Sequence, residues 1–224
     1  PDIAAAVEAV YGQSSPHGHQ ILALTLATCH DVNKLCLERW CGEQTDKHAN
    51  DTYLDCPNPD QCPQEYVESL HLHGAPPFHL GLKVGARHMC IRNIDVARGL
   101  INGAMLELMS IGRRYLQVRI KTGSQVGRIE LLTQCLFHVT SEASGLPFAI
   151  VRKQFPIILA WCLSVHKAQG QSLGFVGLIF ETDPFAHGQL YVALSRVANW
   201  GCIRVVMRPG IESLHNLVYT HLVQ

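Results

Sequence analysis

Nowhere in the 224 residues does a lysine follow a glycine. The chain therefore lacks GxxxxGK[ST], the loop whose backbone amides and lysine cradle the phosphates of a nucleotide. No aspartate is followed by a glutamate either, so the acidic pair of a magnesium-binding strand end is missing too. Together these absences exclude ATP hydrolysis by this chain alone. Charge is sparse as well. Only 16% of residues are Asp, Glu, Lys or Arg, against 47% hydrophobic, which suits an α/β protein with buried strands. The longest apolar stretch, 155–165, contains Pro156 and falls short of the roughly 20 residues that span a bilayer. No secretory signal opens the chain, and Pro1 stands where an initiator Met would, so the chain reads as part of something longer.

Nine cysteines are an odd count for a chain without a secretion signal. Reduced thiols in an intracellular compartment are the expectation, with the nucleus the expected one. Cys36, Cys41, Cys56 and Cys62 have His48, His71 and His73 nearby. Their C-x4-C and C-x5-C spacings are loose compared with the short ligand pairs of zinc sites. We expect free thiols and no metal ligands.

The zero net charge conceals a division. Residues 1–70 carry three Lys/Arg against eleven Asp/Glu, and the remainder fifteen against seven. A polyanion partner for the later part follows from that asymmetry. Nine cations lie between Lys83 and Arg128, opposed only by Asp95 and Glu107. They mark either a clamp on single-stranded nucleic acid or the solvated faces of strands.

The stretch around which the chain is organised is LAWCLSVHKAQGQSLG, Leu159 to Gly174. The apolar run 157–163 has the content of a buried strand. Ser164 is placed to N-cap a short turn through Val165–Gln169, which Gly170 ends. FVGLIF, 175–180, reads as the next buried strand. A strand feeding such a turn aims amides, a hydroxyl, an imidazole and an ammonium one way, a setting for phosphate. An ordinary strand-turn with a surface lysine has the same spacing, and His166 also fits a neutral core histidine. A second stretch, GQLYVALSRV, reads as a helix whose Leu190, Val192, Ala193, Leu194 and Val197 pack on a sheet, with Arg196 at its end. A strand over 202–207 follows.

The HKAQGQSL and HGQLYVALSRV strings resemble the last motifs of superfamily-1 DNA helicases. They are most similar to the Pif family, including helicases of Helitron-type mobile elements. The resemblance runs from about Ile21 to about Val206. It implies an α/β, RecA-like (P-loop NTPase-type) parallel sheet with helices on both faces, interrupted by an inserted small SH3-like β barrel. The implied division is 1–79 and 149–224 for the RecA-like domain and 80–148 for the basic barrel. Ile21–Leu26 as a strand and Asp31–Trp40 as a helix resemble the family's fourth motif. Its turn matches Ala27-Thr28-Cys29 and its later Asn matches Cys36, so both expected asparagines are missing. The family's GAPVML has Arg87 and His88 in place of Pro and Val, and keeps Asn93.

By the same resemblance, Arg196 is an arginine finger, which stabilises charge on a transferring phosphoryl group and is worth about 10³–10⁵ in rate in other nucleotide hydrolases. Gln169, Gly170 and Gln171 line the nucleotide side. Ser164, His166 and Lys167, with Lys83, Arg87, Arg92 and Asn93 from the barrel, hold DNA. ATP and Mg²⁺ are the implied cofactors, with the Mg²⁺ ligands and phosphate loop in a first RecA-like domain preceding Pro1. Single-stranded DNA is the implied partner, and 5′-to-3′ the implied direction. The alternative is a non-catalytic nucleic-acid-binding remnant of a mobile-element helicase. Residues 41–78 read as a solvated acidic excursion with a short helical pattern near 64–72, and 211–223 as a terminal helix.

Overall fold

The computed structural model describes residues 2–12, 18–56, 64–70, 72–208, 210 and 213–217. Two compact units form: Pro1–Arg39 with Trp161–Gln224, and Trp40–Ala160. The boundaries expected at 79/80 and 148/149 both fall inside the second unit.

The first unit is built on a parallel sheet of β1 (His19–Ala23), β12 (Cys162–Ser164), β13 (Phe175–Phe180) and β14 (Ile203–Met207), in the order β12-β1-β13-β14. The middle strands β1 and β13 are buried along nearly their whole length, as parallel strands covered on both faces are. Helix α1 (Ile3–Tyr11) is N-capped by Asp2, whose carboxylate accepts from the Ala5 amide at 3.0 Å. It buries Ala6, Val7, Val10 and Tyr11. Its approach to β13 is close enough that a Cβ on Gly177 would lie 2.3 Å from Val10 Cγ2, which is why a glycine stands inside this strand.

The segment after β1 differs from the expectation. The strand ends at Ala23, and helix α2 (Leu26–Arg39) already includes Ala27-Thr28-Cys29. Thr25 supplies the cap: its hydroxyl accepts from the Thr28 amide at 3.2 Å, satisfying a donor that a helix start leaves open.

In the second unit a sheet runs in the order β11-β5-β6-β7-β8. Its strands are β5 (Arg87–Cys90), β6 (Met105–Ile111), β7 (Tyr115–Ile120), β8 (Ile129–Thr133) and β11 (Ile157–Leu159). All neighbours are antiparallel. Strands β7 and β8 alternate between buried and exposed side chains, the pattern of a sheet with one face on a core. That core includes Leu106, Leu108, Leu116, Val118, Ile120, Leu132 and Phe155. The single strand expected from Leu80 is two, β4 (His79–Leu82) and β5, separated where Gly85 takes φ +79°. The run 157–163 is likewise divided. Strand β11 pairs antiparallel with β5, whereas β12 pairs parallel with β1.

Residues 41–78 are more ordered than a solvated excursion. They form β2 (Thr45–His48), paired with β4, and β3 (Asn50–Leu54), which joins β9 (Cys135–Val139) and β10 (Ala149–Gln154) in the order β3-β10-β9. Helix α3 (Gln64–Ser69) also lies here, and α4 (Ser141–Ser144) follows β9. Arg152, fully buried, clamps Asp51 across β10 and β3 through two nitrogens at 2.9 and 2.7 Å. Its third nitrogen donates to the Pro76 carbonyl. Of the expected terminal helix only 213–217 are described, and they have no regular secondary structure.

Candidate functional site

Three parallel strands, β12, β1 and β13, deliver their carboxyl ends to one edge of the sheet, the edge outside which open α/β sheets bind ligands. From β12 the chain enters a 3-10 turn, Val165–Ala168. Val165 and Ala168 are buried, and His166 and Lys167 between them are exposed. Gln169 and Gly170 are exposed too, and Gly170 takes φ +79°. Ser164 has the backbone conformation of an N-cap but makes no side-chain capping bond. It is buried at 8% exposure, so the structure does not present it as a phosphate ligand.

Helix α5 (Gln189–Leu194) brings Arg196 to this turn. Its packing partner is chiefly the 3-10 turn. Leu190, Val192, Leu194 and Val197 are half-buried, and only Gln189 and Ala193 are buried. The Arg196 guanidinium donates to the carbonyls of Gln171 at 3.2 Å, Ala168 at 3.4 Å and Val192 at 2.8 Å, and to Ser195 Oγ at 2.9 Å. The Arg196 carbonyl accepts from the Leu173 amide at 2.8 Å. The two motif stretches are thus tied together by one residue. Gln171 steadies the turn further, its side chain donating to the Lys167 carbonyl at 3.1 Å.

Three neighbours were not anticipated. Thr28 donates to Glu181 at 2.6 Å and shares a 2.7 Å bond with Thr25, joining the start of α2 to the end of β13. Asn33, one turn further along α2, accepts from the Trp161 and Cys162 amides, each at 2.9 Å, and donates to the Cys162 carbonyl at 2.8 Å. It serves β12 as a substitute strand on the open edge. Cys29 lies between them in sequence, and a thiolate there would favour the Lys167 ammonium. Much of Lys167 is exposed, yet protein packed about its amine is the larger influence and lowers its pKa. The Thr-x-x-Thr spacing was the available signal for the cap; nothing local announces the role of Asn33.

The other predicted ligands belong to the second unit. Lys83 is buried and donates its ammonium to the Trp40 carbonyl at 2.9 Å, so it supports the fold instead of facing a strand of DNA. Arg87 is half-buried. Arg92 and Asn93 are exposed and line a cavity of about 470 Å³ with Ile94, Cys135, Leu136 and His138. Arg92 donates to the Leu136 carbonyl and lies over the Phe137 ring. Asn93 accepts from the Asn102 amide at 2.8 Å.

A family model described as DNA helicase Pif1, 2B domain, matches residues 65–111. Over 196 residues the chain is 34% identical to the ATP-dependent DNA helicase PIF1 of Mus musculus, covering 83% of this chain and 27% of that protein. These matches support a Pif1-family relationship for the chain. It spans about a quarter of the mouse relative's length. Its fold matches the crystal structure of Pif1 helicase from Candida albicans at TM-score 0.66 and 25% identity, over 92% of this chain and 50% of that one. A Pif1 helicase from Bacteroides, in complex with ADP-AlF3 and ssDNA, matches at TM-score 0.64 and 21% identity, over 99% of this chain and 48% of that one. The parallel sheet of the first unit is RecA-like. Among the described residues no helix is long and apolar enough to cross a membrane.

Proposed function

We propose that this chain supplies the second RecA-like part of an ATP-dependent DNA helicase that moves 5′-to-3′ along single-stranded DNA. One observation carries the reading: Arg196 and the turn 166–171 are bonded into a single device at the carboxyl edge of a parallel sheet. In the Bacteroides relative, the complex holds both a nucleotide analogue and ssDNA. On our reading His166 and Lys167 meet a DNA phosphate. Gln169, Gly170, Gln171 and Arg196 face ATP, so one short turn senses both ligands. The donor set fits a triphosphate: a guanidinium, two amide side chains and a glycine with open space where a Cβ would stand. ATP supplies the transferable phosphoryl group. Arg196 donates hydrogen bonds to it from the planar fork that lysine lacks, once released from the carbonyls that hold it here.

Mg²⁺ and the phosphate loop need residues absent from this chain, so a first RecA-like domain of the same polypeptide is the proposed partner. The five-stranded antiparallel sheet is proposed to be the core of a small SH3-like barrel inserted in the second domain. An intracellular compartment, the nucleus, is the one we propose.

The test is paired steady-state ATPase and DNA-binding titration on the full-length protein. Arg196→Ala should nearly abolish DNA-stimulated hydrolysis and change nucleotide-free DNA affinity little, because a finger acts on the transition state. His166→Ala should weaken DNA binding and retain basal hydrolysis. The 224-residue chain alone should show no turnover. Hydrolysis by Arg196→Ala at a near wild-type rate would refute the finger. Turnover by the isolated chain would refute the need for a first domain.

A further inference from the structure

Seven of the nine cations between Lys83 and Arg128 are engaged within the protein. Lys83 and Arg92 serve carbonyls, and Arg87 is also engaged. Arg98 and Arg128 share Glu130, while Arg119 and Lys121 share Glu107. Two remain. Arg113 and Arg114 are exposed, and among the described residues no hydrogen bond, ion pair or ring contact engages either. They form the connection between β6 and β7, with Gly112 before them and Tyr115 after.

Folding does not account for these residue types. A tight hairpin is served by Asn-Gly or Asp-Gly, and adjacent like charges oppose each other. Tyr115 is also 47% exposed. Its ring rests against bare backbone: a Cβ on Gly112 would lie 3.0 Å from Tyr115 Cζ. The ring is supported there without being buried. Tyr115, Gln117 and Arg119 alternate with the buried Leu116, Val118 and Ile120. They share their outward face with their register partners Thr133, Leu131 and Ile129 on β8, all exposed.

We propose that Arg113, Arg114 and Tyr115 form a contact site for single-stranded nucleic acid. The guanidiniums donate to phosphate oxygens, and the ring takes an unstacked base, a sequence-tolerant contact. The site lies just beyond residues 65–111, which match the family model. It rests on the helicase reading for its ligand class, and it moves the principal contact away from Lys83 and Arg87.

The test is fluorescence anisotropy of a labelled oligothymidylate titrated with the 224-residue chain over a range of salt. Arg113→Gln/Arg114→Gln should weaken binding about tenfold at low salt and reduce the salt slope by about 1.4, since each single-strand phosphate contact contributes about 0.7. Arg113→Lys/Arg114→Lys should keep the slope. Tyr115→Leu should weaken binding about fivefold or more with the slope unchanged. Lys153→Gln, an exposed cation on β10, should change affinity less than about twofold, and circular dichroism should show every variant folded. Wild-type affinity and slope in the double glutamine variant would overturn this site while leaving the helicase reading intact. No binding by the wild-type chain at low salt would overturn the site. Equal losses in the Lys153→Gln control would show a diffuse charge effect and also overturn the site.

Discussion

Arg196 and Gln171 are 25 positions apart in sequence, yet a guanidinium nitrogen of one donates to the carbonyl of the other at 3.2 Å. The same nitrogen reaches Ala168 at 3.4 Å. The arginine thus holds the turn that is proposed to sense DNA.

That arrangement has a measurable cost outside catalysis. Arg196→Ala in the 224-residue chain removes charged donors from backbone carbonyls at a half-buried position, so it should lower stability by about 1–2 kcal/mol. Arg196→Lys should lose nearly as much, because one ammonium cannot reach along both the helix and the turn. Urea midpoints read both. An unchanged midpoint in Arg196→Ala would mean that the carbonyls are as well served by water.

Asn33 should matter more than its place in a helix suggests. Asn33→Ala leaves the Trp161 and Cys162 amides and the Cys162 carbonyl without their partner at a buried strand edge, which should cost about 2–4 kcal/mol. Asn33→Asp keeps the acceptor, loses the donor and buries a charge, so it should be no better. Chemical denaturation distinguishes this from a surface role, for which either change would shift stability by less than about 0.5 kcal/mol.

Much of this was legible because it is local. The turn after β12 could be read from Gly170 and the apolar runs on either side, and β6, β7 and β8 from alternation and punctuation. What was not legible depends on distant partners. The run 157–163 looks uniform, yet its two halves choose different strands, β5 and β1, and nothing within seven apolar residues records that choice. The start of α2 was visible in Thr25 and Thr28, but the resemblance to a turn-bearing motif drew the boundary five residues late. Lys83 reads as a surface cation until the Trp40 carbonyl, 43 positions away, is brought to it. Likewise, Arg98 and Arg119 look free for phosphate until Glu130 and Glu107 are placed beside them.

Gly177 gives a check on the packing of the first unit. A methyl group here meets Val10 Cγ2 well inside contact distance, and a β-branched side chain has few rotamers into which to retreat. Gly177→Ala should destabilise the chain by about 1–3 kcal/mol. Adding Val10→Ala should recover part of that loss, a sign of direct contact that single variants cannot give. Simple additivity of the two losses in thermal unfolding would contradict the packing of α1 on β13.

The last prediction concerns acid stability. His88 on β5 is fully buried. Its Nδ1 is bonded to the Ala86 carbonyl at 3.1 Å, and its Nε2 has no partner among the described residues. Burial lowers its pKa from 6.5 to about 4, against a smaller opposite influence from Ala86. The folded imidazole therefore stays neutral in a range where the unfolded one binds a proton. Stability is complete above pH 6.5 and falls as pH drops toward 4, by up to about 1.4 kcal/mol per pH unit and about 3 kcal/mol in all. Glu130 and Asp183 are both held below their ordinary values, 4.5 and 3.8, by Arg98 and by the His215 backbone amide respectively. Their losses therefore begin below the upper part of this window. His88→Val should flatten the stability curve between pH 6.5 and 4.5. It should also remove a buried polar atom that has no partner, offsetting the loss of volume at neutral pH. Urea midpoints at half-unit pH steps measure both effects. An equal slope in wild type and His88→Val would show that the folded protein accommodates the imidazolium, and the lowered pKa would be wrong.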